Sequence, residues 1–151
     1  MATEEAIGVT VRGEETVRVA DTPAVRDRFE WETASFTINC HTGRILEGRW
    51  SGFRLWPLLE AARIDPETTH LLVTARDGYR ACVELLDGHD ALLGFVREAF
   101  RVRNGEEHGD GTGTPRFLTR GIDSSRTVRE VASVEGLVLS SDEDPHDYEI
   151  E

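Results

Sequence analysis

The chain contains no lysine; all seventeen of its basic residues are arginine. That absence excludes Schiff-base catalysis, a pyridoxal phosphate anchor, a Ser-x-x-Lys pair and a Walker A loop, each of which needs a lysine amine. Cysteine is scarce as well. Cys40 and Cys82 stand alone, too few for a disulfide framework or a thiolate zinc site, and in a reducing compartment both are expected as free thiols. No stretch approaches the ~20 apolar residues of a membrane-spanning helix. The opening MATEEAIGVTVRG has no basic run ahead of an apolar one, so no secretory signal is expected and the expected compartment is the cytoplasm. The five histidines show no His-x-x-x-His spacing, and there is no Gly-x-Ser-x-Gly elbow.

What is present is acid. Twenty-nine Asp and Glu give a net charge of −12, divided as −4 over residues 1–75, −2 over 76–139 and −6 over 140–151. A dispersed negative surface keeps a protein soluble through self-repulsion. Lysine-free, acid-rich usage resembles halophilic proteins, whose repulsion is screened by high salt; a GC-rich genome writing arginine for lysine accounts for it equally. Nucleic acid is not an expected partner, because phosphate binding needs a basic face. At 151 residues and 38% hydrophobic content the chain can bury one core.

Ile7, Val9 and Val11 alternate with Gly8, Thr10 and Arg12, the pattern of a half-buried strand, and Thr16–Ala20 predicts a second. Pro23 opens a short helical turn to Arg28. Trp31–Cys40 reads as a strand with Ala34, Phe36, Ile38 and Cys40 on one face, broken by His41-Thr42-Gly43. Arg44–Trp50 and Ser51-Gly52-Phe53 lead to an amphipathic helix over Leu55–Arg63. Thr69–Ala75 and Tyr79–Leu85 are expected as a hairpin about Asp77-Gly78, with Cys82 facing away from Tyr79, Ala81, Val83 and Leu85. A helical turn over Leu86–Leu93, a strand over Val96–Val102, a Gly- and acid-rich loop over 104–114, and closing strands at Pro115–Thr119 and Thr127–Leu139 follow. The expected class is α+β: a β-dominated mixed fold with short helices, one domain over 1–139 and an acidic tail over 140–151, disordered or peripheral.

Cys40 has two readings. It is a small buried thiol ending a core strand, or, at a strand-to-loop junction followed by Arg44 and Arg49, a thiolate that can attack or ligate a soft metal. Cys82 is read as structural. Past the 104–114 loop, Pro115–Arg120 carries Arg116 and Arg120, and Arg126 and Arg129 follow; their guanidinium forks suit phosphate or surplus surface carboxylates.

Phe36-Thr37-Ile38-Asn39-Cys40, Trp50-Ser51-Gly52-Phe53, the Leu-rich Leu55–Ala62 and Asp77-Gly78-Tyr79 occur in that order. Together with Val11-Arg12-Gly13 before them and Gly113-Thr114-Pro115 after, they resemble the molybdopterin-binding domain of the sulfite oxidase family over roughly residues 7–139. The resemblance implies that Cys40 ligates molybdenum and that phosphate contacts of a molybdenum-molybdopterin cofactor come from the Pro115–Arg129 stretch, chiefly Arg116 and Arg129. It also implies an oxidoreductase with a small-molecule substrate and an electron-transfer partner. A fold relative that has dropped the cofactor and serves as a binding module is the rival reading, and a thiol redox protein using Cys40 alone is the third.

Overall fold

The computed structural model describes residues 7–39, 43–103, 113–120 and 127–149. Cys40, His41, Arg126 and the 104–114 loop apart from Gly113 and Thr114 lie outside them. Strands dominate. The elements run β1 (Gly8–Arg12), β2 (Thr16–Ala20), α1 (Pro23–Arg28), β3 (Trp31–Asn39), β4 (Ile45–Arg54), α2 (Leu55–Ala62), β5 (His70–Ala75), β6 (Arg80–Glu84), α3 (Leu85–His89), β7 (Leu92–Arg103), β8 (Arg116–Leu118) and β9 (Val131–Leu137). They form a five-stranded sheet of order β2-β1-β9-β5-β6 and a four-stranded sheet of order β3-β4-β7-β8. The expected β-dominated α+β class holds.

The local chemistry accounts for most of these elements. Thr22 caps α1 by accepting the Val25 N–H at 3.3 Å, and Pro23 fills the first helical position, where its missing N–H costs nothing. Helix α2 buries Leu55, Leu58, Leu59 and Ala62 on one stripe, as the periodicity predicts. Asp77 accepts the Tyr79 N–H at 2.9 Å in the turn that returns β5 into β6.

Two departures concern length. Strand β4 does not stop at Trp50; it runs ten residues through Trp50-Ser51-Gly52-Phe53 and passes directly into α2. Strand β7 starts at Leu92 rather than Val96, because α3 ends at His89 and Leu92–Gly94 pair with β8. A local pattern cannot report that pairing.

The main core lies between the sheets and α2. Val9, Val11, Leu71, Val73 and Val134 from one sheet meet Phe53, Leu93 and Phe117 from the other, with the α2 leucines among them. Burying each such side chain contributes roughly 1.5–3 kcal/mol. A second cluster, Phe36, Ile38, Leu46, Trp50, Leu92 and Leu118, sits on the opposite face of the four-stranded sheet. Strand β4 feeds both. Trp50 is fully buried in the second cluster, Ser51 hydrogen-bonds Thr33 at 2.6 Å and Glu98 at 2.8 Å, and Phe53 is fully buried in the main core. Between them Gly52 lies so close to the Leu93 carbonyl that a Cβ would collide with it, beside a register shift in the β4–β7 ladder.

The described part of the acidic tail is seated. Leu139 and Tyr148 cover Leu72 and Cys82 on the outer face of the five-stranded sheet, and residues Pro145–Tyr148 form a 3-10 turn. Cys82 thus faces away from the main core, as expected, yet is buried.

Replacing Gly52 with alanine forces backbone apart rather than a side chain aside. The expected cost is about 3 kcal/mol or more, read as a large drop in thermal midpoint, whereas Gly43→Ala, in open space at positive φ, costs about 1 kcal/mol.

Candidate functional site

The register of the four-stranded sheet brings three strand ends into line. Asn39 ends β3 opposite Ile45, which begins β4, and Ile45 in turn faces Arg103, which ends β7. The last residues of β3 and β7 therefore lie at the same end of the sheet.

Along β3 the alternation is preserved to its last residues: Phe36 and Ile38 are buried while Thr37 and Asn39 are exposed. Cys40 continues the phase of Phe36 and Ile38 in the sequence, and that phase belongs to the aromatic cluster. Phe36 and Phe100 both stand 6.3 Å from Trp50, centroid to centroid. Gly48 makes room for the indole, since a Cβ there would come within 2.5 Å of the ring. The Trp50 Nε1–H is buried with no hydrogen-bond partner among the described residues. A buried indole donor normally has one, which marks this face as a place where an acceptor fits.

Arginines frame it. The Arg97 guanidinium lies 4.2 Å from the Phe100 ring centre and that of Arg120 lies 5.8 Å from Phe36. Arg116 is buried in β8, where alternation sends it and Leu118 to the aromatic side while Phe117 enters the main core. Arg129 lies across from β8, on a segment tied to it by Phe117 N–H to the Val128 carbonyl at 2.9 Å and Val131 N–H to Pro115 at 2.8 Å. Gly113 adopts φ +70°, and a Cβ there would stand 2.5 Å from the Arg129 Nε. The fold thus brings Arg116 and Arg129 onto neighbouring segments.

It does not bring them to the end of β3. Arg116 aligns with Gly94, Gly52 and Glu32, seven residues of strand before Asn39, or roughly 23 Å of path. Arg120 spans part of that gap, reaching Phe36 near the strand end. Sequence reasoning noted Arg120 only as a neighbour of Arg116. The signal available was its position just beyond Leu118, where the short strand ends and the chain turns back.

The expectation that Arg49 supports a Cys40 thiolate involves a residue outside those described. Alternation along β4 puts Leu46, Gly48 and Trp50 on the aromatic face, and Arg49 on the other with Glu47, beside Ser35, Thr37 and Arg101 around a shallow hollow of about 450 Å³. On that face Glu47 accepts from Arg101 and from Arg103, each at 2.8 Å. The hydrogen bonds from Arg103 and Arg101 hold its carboxyl below the ordinary range. Among the described residues no three His, Cys, Asp or Glu come together to hold a metal ion, and no helix is long and apolar enough to cross a membrane.

No protein-family model matches the chain, and no curated protein sequence matches it. Among solved structures, the sulfane dehydrogenase SoxCD from Paracoccus pantotrophus is similar, with a TM-score of 0.68 and 18% sequence identity over 90% of this chain. The chain spans 39% of the length of that one. At this identity the likeness establishes a shared fold, and the strand-dominated architecture above is that fold.

Because its folded pKa is lowered, Glu47 stabilises the fold at pH values above its ordinary range, and the contribution is lost as pH falls through the lowered value. Carboxyl-carbon NMR should find Glu47 titrating below the ordinary range of a glutamate, and Arg103→Ala should move its midpoint upward.

Proposed function

We propose that the chain is a molybdopterin-dependent oxidoreductase domain of the sulfite oxidase type, with Cys40 as its ligand to molybdenum. The observation that carries the reading is the shared fold with part of a sulfane dehydrogenase over 90% of the chain. The order of motifs supports it: Cys40 follows directly on β3, ahead of Trp50-Ser51-Gly52 and Asp77-Gly78-Tyr79.

The residues present fit a phosphorylated, anionic cofactor. Arg116 and Arg129, on neighbouring segments, would hold its phosphate, with Arg120 between them and the end of β3. The unpartnered Trp50 N–H on the aromatic face supplies a donor in a low-dielectric setting. With no cluster of ligating side chains among the described residues, a single thiolate is a fitting protein ligand for a metal that arrives with its own chelating cofactor. When bound, such a group supplies two-electron redox chemistry at the metal, and the protein binds, orients and tunes it. A small-molecule substrate and an electron-transfer partner follow from that chemistry.

Production in a host that makes the pterin cofactor, followed by metal analysis and visible spectroscopy, tests the proposal. About one molybdenum per chain is expected, lost in Cys40→Ser. Arg116→Ala and Arg129→Ala should each reduce retention by roughly tenfold, the worth of one charge-assisted contact. A colourless, metal-free protein under these conditions would overturn the reading in favour of a cofactor-free relative that acts as a binding or partner module.

A further inference from the structure

The five-stranded sheet ends at β6, and an edge strand presents unpaired backbone groups to solvent. Here the edge is met by a side chain. The Cys82 N–H, turned outward, donates to the Glu149 carboxylate at 3.1 Å. The other oxygen of that carboxylate lies 2.6 Å from the His146 Nδ1. Tyr148, one residue before, packs on Cys82, Leu72 and Leu139, and its hydroxyl donates to Glu143 at 2.9 Å. Upstream, the Leu139 N–H donates to the Thr69 hydroxyl at 2.9 Å. Residues 139–149 therefore lie over the end of the sheet as a strap fixed at both ends. Beneath it the Cys82 thiol is 3% exposed.

The strap is held against its own charge. It carries Asp142, Glu143, Asp144, Asp147 and Glu149 and no arginine. The surface around it adds Glu84, which shares the Cys82 face of β6, and Glu135 on β9; Arg80, His70 and Arg12, the last in register with Glu135, are basic residues on that face. Carboxylates outnumber cations, so closure concentrates like charge. Mobile ions decide how much of that repulsion is felt, because the screening length falls from about 30 Å at 0.01 M salt to about 3 Å at 1 M. The contacts that favour closure, an apolar patch and short hydrogen bonds, are far less sensitive to salt.

We propose that residues 139–149 are an ionic-strength-dependent strap. It closes over Cys82 and the β6 edge when salt is high, and it releases both when salt is low. The opening is local, leaving the main core folded.

N-ethylmaleimide labelling of the full-length protein, with peptide mapping to read Cys82 apart from Cys40, tests this. Rates are divided by those of a free cysteine peptide in the same buffer. Cys82 should label roughly tenfold faster at about 0.01 M than at about 1 M salt. Tyr148→Ala and Glu149→Ala should label quickly at both. Amide exchange in the unaltered protein gives a second reading: the Cys82 amide should lose protection at low salt while that of Val134, buried in the main core, keeps it. A Cys82 rate indifferent to salt and to both substitutions would overturn the strap. So would joint loss of protection at Cys82 and Val134, which would mean global unfolding.

Discussion

Strand β4 passes Leu93 with no room for a side chain at residue 52, and the rest of the four-stranded sheet is arranged around that approach. Around that contact the β4–β7 ladder shifts register on both sides of Ser51, the extra residues, Glu98 and Phe95, lying on β7. Unbroken alternation along β4, in register with β3 from Ile45 to Phe53, commits Trp50 to the aromatic cluster and Phe53 to the main core. Ser51, between them, has its hydroxyl engaged by Thr33 and Glu98. The Trp-Ser-Gly-Phe run is thus a structural device first. It holds the long strand pair at whose far end β3 finishes at Asn39 and β7 at Arg103.

The sheet also divides its charges. Its aromatic face is rimmed by Arg97 and Arg120, whose guanidinium groups lie over the Phe100 and Phe36 rings. Its other face uses Glu47 to bind two arginines at once. In a chain with so large an acid surplus, the arginines of the aromatic face stand out, and they are what would make that side attractive to an anion.

Much of this was legible in the residues. The period-two alternation of Val9 and Val11, or of Phe36 and Ile38, reports burial directly, because the side chains must choose a face. Asp77-Gly78 and Pro23 report turns and helix starts through backbone chemistry alone. What escaped is what depends on a distant partner. The start of β7 at Leu92 rests on pairing with β8, and the seating of the acidic tail rests on apolar contacts from Leu139 and Tyr148, two residues in a run that otherwise reads as solvated. The candidate site divides the same way. The phase of Phe36 and Ile38 could be read from their strand, but the side of the sheet taken by Arg49, and the reach of Arg120 back to Phe36, required the register of three strands.

The two register shifts between β4 and β7 have a further consequence for how the chain finds its pairing. A flat strand with regular alternation can slide by two residues and still present apolar groups to the same side. Strand β4 cannot do so. Any slide against β7 would carry a side chain into the gap that only residue 52 can occupy, and would set the indole of Trp50 against a neighbour bulkier than Gly94. The glycines work as a key cut to one lock, so the alignment of the four-stranded sheet is decided by where side chains are missing.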